Sequence, residues 1–134
     1  SRFNSFFTEQ LVKGAVDCFV RHGGKEADLT LVRVPGANEL PQVAQRLAAT
    51  GKVDAVVALG AVIQGATPHA DLINGTVARA LAKISLDTGV PVLNGIVCAL
   101  NLEQAIERAG TKQGNKGWDA VAAAIETVNV LKAL

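Results

Sequence analysis

Ala55-Val56-Val57-Ala58-Leu59-Gly60-Ala61-Val62, continued by Ile63-Gln64-Gly65-Ala66-Thr67-Pro68-His69, is the stretch on which the fold turns. An apolar run without alternation suits a parallel strand covered on both faces. Its continuation reads as a strand-to-helix turn, because threonine can cap a helix and proline is favoured at the first helical position. A strand feeding directly into a capped helix is the building unit of crossover α/β architecture.

The same alternation of periods extends in both directions. Upstream, Val43, Leu47 and Ala48 give 40–49 helical spacing. Before it, 29–34 is β-branched and alternating until Pro35-Gly36 breaks it, which predicts a short strand. Leu11, Val12, Ala15, Val16, Phe19 and Val20 repeat at helical spacing, and Gly23-Gly24 supplies a C-terminal cap. Downstream, a helix runs from Thr67-Pro68 to Asp87 and ends at Gly89, and 92–97 is another apolar strand. Asn101 with Gln104 makes a capping-box-like start for a short helix that stops at Gly110. An alanine-rich helix over 117–134 closes the chain.

The expected fold class is therefore α/β, a three-layer α/β/α sandwich with a parallel sheet, in one domain over 1–134. Three strands make a thin sheet for so apolar a chain, and a strand ahead of Ser1 would complete it. Hydrophobic residues make up 49% of the sequence and charged residues 19%, which favours a buried core over disorder. A net charge of +1 without a basic cluster argues against nucleic acid or acidic membrane surfaces as partners. The longest uninterrupted apolar stretch, 55–59, is far shorter than the roughly 20 residues a membrane helix needs. A cytoplasmic location is the default expectation without a leader-like segment. Cys18 and Cys98 lie in apolar runs without metal-ligand spacing, so both read as reduced core thiols, with no metal site expected. The sequon Asn74-Gly75-Thr76 would go unused in the cytoplasm.

Candidate chemistry gathers in three places. Gly65-Ala66-Thr67, at a helix start, can cradle a phosphate, since free N–H groups there attract anions. The plain alternative is an ordinary well-capped turn. His69 follows at the positive end of the helix dipole, where a neutral imidazole suited to proton transfer is favoured, although a lone histidine there can also be a simple surface residue. Arg108 offers a planar fork for a dianionic phosphate, or a charge complementing a helix C-terminus. Glu39 follows the predicted strand 29–34, where parallel sheets bind ligands. It can accept protons from a polyol's hydroxyls or serve as a favourable first-turn charge.

Taken in order, Ser1-Arg2-Phe3-Asn4, Val34-Pro35-Gly36-Ala37, Glu39-Leu40-Pro41, Gly65-Ala66-Thr67-Pro68-His69 and Glu103-Gln104-Ala105-Ile106-Glu107-Arg108-Ala109-Gly110-Thr111-Lys112 resemble the lumazine synthase family over nearly the whole chain. The last run, continued by Gly114-Asn115-Lys116-Gly117, is the specific one. The resemblance implies a flavodoxin-like sheet of four parallel strands, the first of them not in this chain. It also implies a homo-oligomer: pentamers, sometimes gathered into a 60-subunit icosahedral shell, with active sites between neighbouring subunits. The implied reaction joins 5-amino-6-(D-ribitylamino)uracil to 3,4-dihydroxy-2-butanone 4-phosphate, releasing phosphate and water, with no cofactor.

By the same resemblance, Phe3 lies against the pyrimidine, and Ala37, Asn38 and Glu39 meet the ribityl chain. Ala61, Val62 and Ile63 offer backbone groups to the pyrimidine edge, Asn94 sits at the ring site, and Lys116 orients the ring. Gly65, Ala66, Thr67 and Arg108 bind phosphate, and His69 moves protons. Departures from the usual pattern fall at Asn38, Gln64, Ala70, Leu72, Thr76 and, relative to many members, Asn94. Those substitutions keep two further readings open: a shell protein of the same fold that assembles without catalysis, and a flavodoxin-like module that binds a flavin phosphate without chemistry.

Overall fold

A computed structural model describes residues 1–65, 68–110 and 114–134. Five α-helices and two strands follow in the order α1 (Ser5–Arg21), α2 (Leu40–Ala49), β1 (Val56–Ile63), α3 (His69–Thr88), β2 (Val92–Ala99), α4 (Leu102–Arg108) and α5 (Lys116–Ala133). Strands β1 and β2 are parallel and in register from Val56 opposite Val92 to Ile63 opposite Ala99. Helices α2 and α3 cover one face of this sheet, and α1, α4 and α5 the other. The architecture is the expected three-layer one. Three apolar clusters fill it among the described residues: Val77, Leu81, Ile84 and Ile96 under α3, Phe7, Leu11, Val97 and Ala105 under α1 and α4, and Ala15, Cys18 and Val121 between α1 and α5.

Most boundaries follow from local chemistry. Helix α1 stops where Gly23 turns left-handed (φ 92) and Gly24 N–H returns to the Phe19 carbonyl at 2.9 Å. Asn101 caps α4 by accepting from Gln104 N–H at 2.9 Å, while the Gln104 amide oxygen accepts from Leu100 N–H, one residue earlier than a capping box requires. Helix α3 begins one residue later than expected, with Pro68 at the cap position; Ala66 and Thr67, the expected phosphate cradle and cap, lie outside the described residues.

Two expectations fail. Residues 29–34 form no strand: among the described residues the sheet consists of β1 and β2, and this segment's one backbone bond to a distant residue is from Arg2 N–H to the Val34 carbonyl. The four-stranded sheet is accordingly two strands wide among the described residues. Cys98 is not a core thiol: it is exposed, as is Asn94 earlier in β2, whereas Cys18 is fully buried. Both are free thiols, and Asn74 lies half-buried within α3 rather than on a loop.

Candidate active site

The carboxyl ends of the parallel strands carry the candidate residues, where the backbone opens into turns. At the end of β1, Asn4 adopts a left-handed conformation (φ 62) and donates from Nδ2 to the Ala61 carbonyl at 2.8 Å. Its neighbour Phe3 donates its N–H to the Pro35 carbonyl at 2.9 Å, leaving the ring 72% exposed. The short 3-10 turn Ala37–Glu39 packs against both β1 and α3. His69, exposed, is the first residue of α3. Phe3, Ala37, Asn38, Glu39, Ala61, Val62 and Ile63 thus gather around one strand end, and α3 opens with His69 just beyond it. A Cβ at Gly65 would meet no described atom within 4 Å.

Asn94, Arg108 and Lys116 lie elsewhere, on a second groove of about 390 Å³ beside β2. Leu93, Asp119, Ala120 and Ala123 complete its walls. Arg108 reaches back from the end of α4 and donates from Nη1 to the Cys98 carbonyl at 2.7 Å, which fixes its guanidinium at the end of β2. Lys116 opens α5, whose cap is Asn115. Although the residue is exposed, partial desolvation of its thiol pushes Cys98 above its ordinary value, while the charges of Lys116 and Arg108 pull it back down. Arg108 and Lys116 bring two positive charges to the groove and Asp119 one negative. Asp119 went unnoticed in the sequence, although its position three residues after Lys116 sets both on one face of α5.

None of the residues around His69 lines the groove of Arg108. The carboxyl ends of β1 and β2 are neighbours in the ladder, Val62 opposite Cys98 and Ile63 opposite Ala99.

The sequence model of the 6,7-dimethyl-8-ribityllumazine synthase family matches residues 1–132. The chain belongs to that family. Its relatives include the 6,7-dimethyl-8-ribityllumazine synthase of Chlorobium phaeovibrioides, 54% identical over all of this chain and 86% of the relative. The enzyme of that name from Aquifex aeolicus is also 54% identical, over all of this chain and 87% of its own length. That from Prosthecochloris aestuarii is 56% identical over 97% of this chain and 84% of its own. At such identity across the whole chain, the parallel α/β architecture described above is the family's. No helix among the described residues is long and apolar enough to cross a membrane.

Proposed function

We propose that this chain is a 6,7-dimethyl-8-ribityllumazine synthase of riboflavin biosynthesis, acting on 5-amino-6-(D-ribitylamino)uracil and 3,4-dihydroxy-2-butanone 4-phosphate. The observation that carries the reading is the match to curated enzymes of that name along the entire chain. Both groups of residues support it. A polyol-bearing heterocycle suits the end of β1, where Phe3 offers an exposed ring and Glu39 an exposed carboxylate. A phosphate suits the cationic groove of Arg108 and Lys116.

The chemistry asks little beyond positioning and proton transfer. The pyrimidine's 5-amino group adds to the ketone of the sugar phosphate and expels water, giving an imine. Loss of a proton and of phosphate follows. The enol this leaves tautomerises to a ketone, on which the ribityl-bearing nitrogen closes with loss of a second water. His69 serves as the proton carrier in these steps, Arg108 and the Gly65–Thr67 turn as the phosphate grip. Holding both substrates side by side supplies much of the acceleration.

The reading extends to a ring, in which the His69 end of one subunit meets the Arg108 groove of the next. Exposed apolar side chains support subunit contacts: Leu72 is 66%, Leu86 85% and Leu100 63% accessible. A pentamer is the ring this family membership favours. The test is direct. Mixing the two substrates with the protein should yield the fluorescent lumazine; full-sized particles that form none would favour a protein that assembles without catalysing.

A further inference from the structure

Among the described residues, the side chain of Asn115 makes three hydrogen bonds. Its Oδ1 accepts from Trp118 N–H at 3.1 Å, which caps α5. Its Nδ2 donates to the Ala109 carbonyl at 3.3 Å and to the Gln10 carbonyl of α1 at 2.8 Å. A helix cap needs the first bond alone. The other two tie the start of α5 to the end of α4 and to the flank of α1.

Ala109 and Asn115 are the chain neighbours of Arg108 and Lys116, the two cations of the groove beside β2. They pair as an antiparallel bridge, with the chain leaving through Gly110 (φ 117) and returning through Gly114 (φ 88). Such pairing brings the residues just outside it, Arg108 and Lys116, to one side of the bridge, and both line the groove. Arg108 is held at its far end too, on the Cys98 carbonyl. Lys116 is the first residue of α5, so the bonds of Asn115 set where its stem begins.

The surroundings are shaped to this one amide. Gly14 lies inside α1, where glycine weakens a helix relative to alanine. A Cβ there would overlap Cγ, Oδ1 and Nδ2 of Asn115. Cβ atoms at Gly110 and Gly117 would come within 3.1 Å of its Nδ2 and 3.0 Å of its Oδ1. Glycines of α1, of α5 and of the turn after α4 thus leave room for the same side chain.

We propose that Asn115 is a positioning residue, which holds Arg108 and Lys116 in register so that both cations meet one phosphate. The assignment rests on the reading that this groove takes the phosphate of the sugar substrate. Much of the entropy of arranging two cationic stems around a dianion is then lost on folding, before the substrate arrives. Gly14 belongs to the same device, as the space in α1 through which the amide reaches Gln10.

Asn115→Ser separates clamp from cap, because serine caps a helix as asparagine does but offers no amide to bond both carbonyls. Initial rates and calorimetric titration with inorganic phosphate give the two constants to compare. KM for the sugar phosphate and Kd for inorganic phosphate should each rise about tenfold, the scale on which misplaced binding groups act. The kcat at saturation should change little. A merely destabilised enzyme would show the opposite split, fewer active molecules at an unaltered KM. Gly14→Ala, which displaces the amide from α1, should raise both constants in the same way. In the Asn115→Ala background its methyl no longer meets that amide, so the double variant should bind no more weakly than Asn115→Ala alone. Wild-type constants in Asn115→Ser would reduce the amide to a helix cap and overturn the proposal, as would additive effects of Gly14→Ala and Asn115→Ala. A protein that makes no lumazine would remove the proposed activity and leave the phosphate titration to judge the clamp. Absence of phosphate binding in the wild-type chain would then overturn the clamp as well.

Discussion

Arg108 donates from Nη1 to the Cys98 carbonyl at 2.7 Å, so a helix-end guanidinium is tied to the carboxyl end of β2. The bond uses one of five donors and leaves the rest of the fork toward the groove it shares with Lys116. A flexible surface arginine would lose rotamer entropy on gripping a phosphate; here part of that loss is met within the folded chain.

Arg108→Ala should therefore raise KM for the sugar phosphate by about 10- to 100-fold, the range for charge-assisted hydrogen bonds. KM for the pyrimidine should change little. Initial rates at varied concentrations of each substrate would show this, and equal effects on both would count against a phosphate role.

A site shared between the His69 of one subunit and the Arg108 of the next gives a sharper expectation. His69→Ala should lower kcat by about a hundredfold, typical of a lost proton carrier. Co-assembled in equal amounts with Arg108→Ala, it should recover about a quarter of wild-type activity, since in a head-to-tail ring one site in four joins two intact halves. If the mixture stays as inactive as its components, the two residues do not meet across a subunit boundary.

Close packing of α1 on α5 depends on Gly117, which is buried: a Cβ there would collide with the Leu11 carbonyl oxygen. Backbone cannot yield as a side-chain tip can. Gly117→Ala is expected to lower stability by about 1–3 kcal/mol, as overpacking does. Urea unfolding monitored by Trp118 fluorescence would measure it, and an unchanged midpoint would contradict the collision.

Burial raises the Cys18 thiol above its ordinary pKa of 9.0, with Asp119 and Asp17 adding to the shift. In the unfolded chain the thiol ionises first as pH rises, so the unfolded state is favoured. Stability should be complete below pH 9 and decline from there up to the raised folded value. Thermal midpoints across that interval would show the decline, with a shallower slope in Cys18→Ala; Cys98, also raised, leaves part of the slope in place. Identical slopes would exclude Cys18 as a source.

Periodicity alone determined much of this molecule. The helix over Leu40–Ala49 matches its expected bounds, and β1 and β2 fall within one or two residues of theirs, because each carries a strong local pattern. Gly23, Gly89 and Asn101 end or begin their helices as their residue types dictate. The motifs around Phe3, Glu39, His69 and Arg108 were legible too, being short runs in fixed order.

Only the tertiary structure decided the rest. Segment 29–34 has strand composition yet forms no strand, since pairing needs a neighbour that no local propensity can provide. Cys98 and Asn94 are exposed while Ile96, between them on the same face of β2, is buried, a difference set by which helices cover each part of the sheet. That Arg108 comes to the carboxyl end of β2, bonded to the Cys98 carbonyl, is likewise a matter of how the chain turns back after the strand, a geometry that spacing along the sequence does not encode.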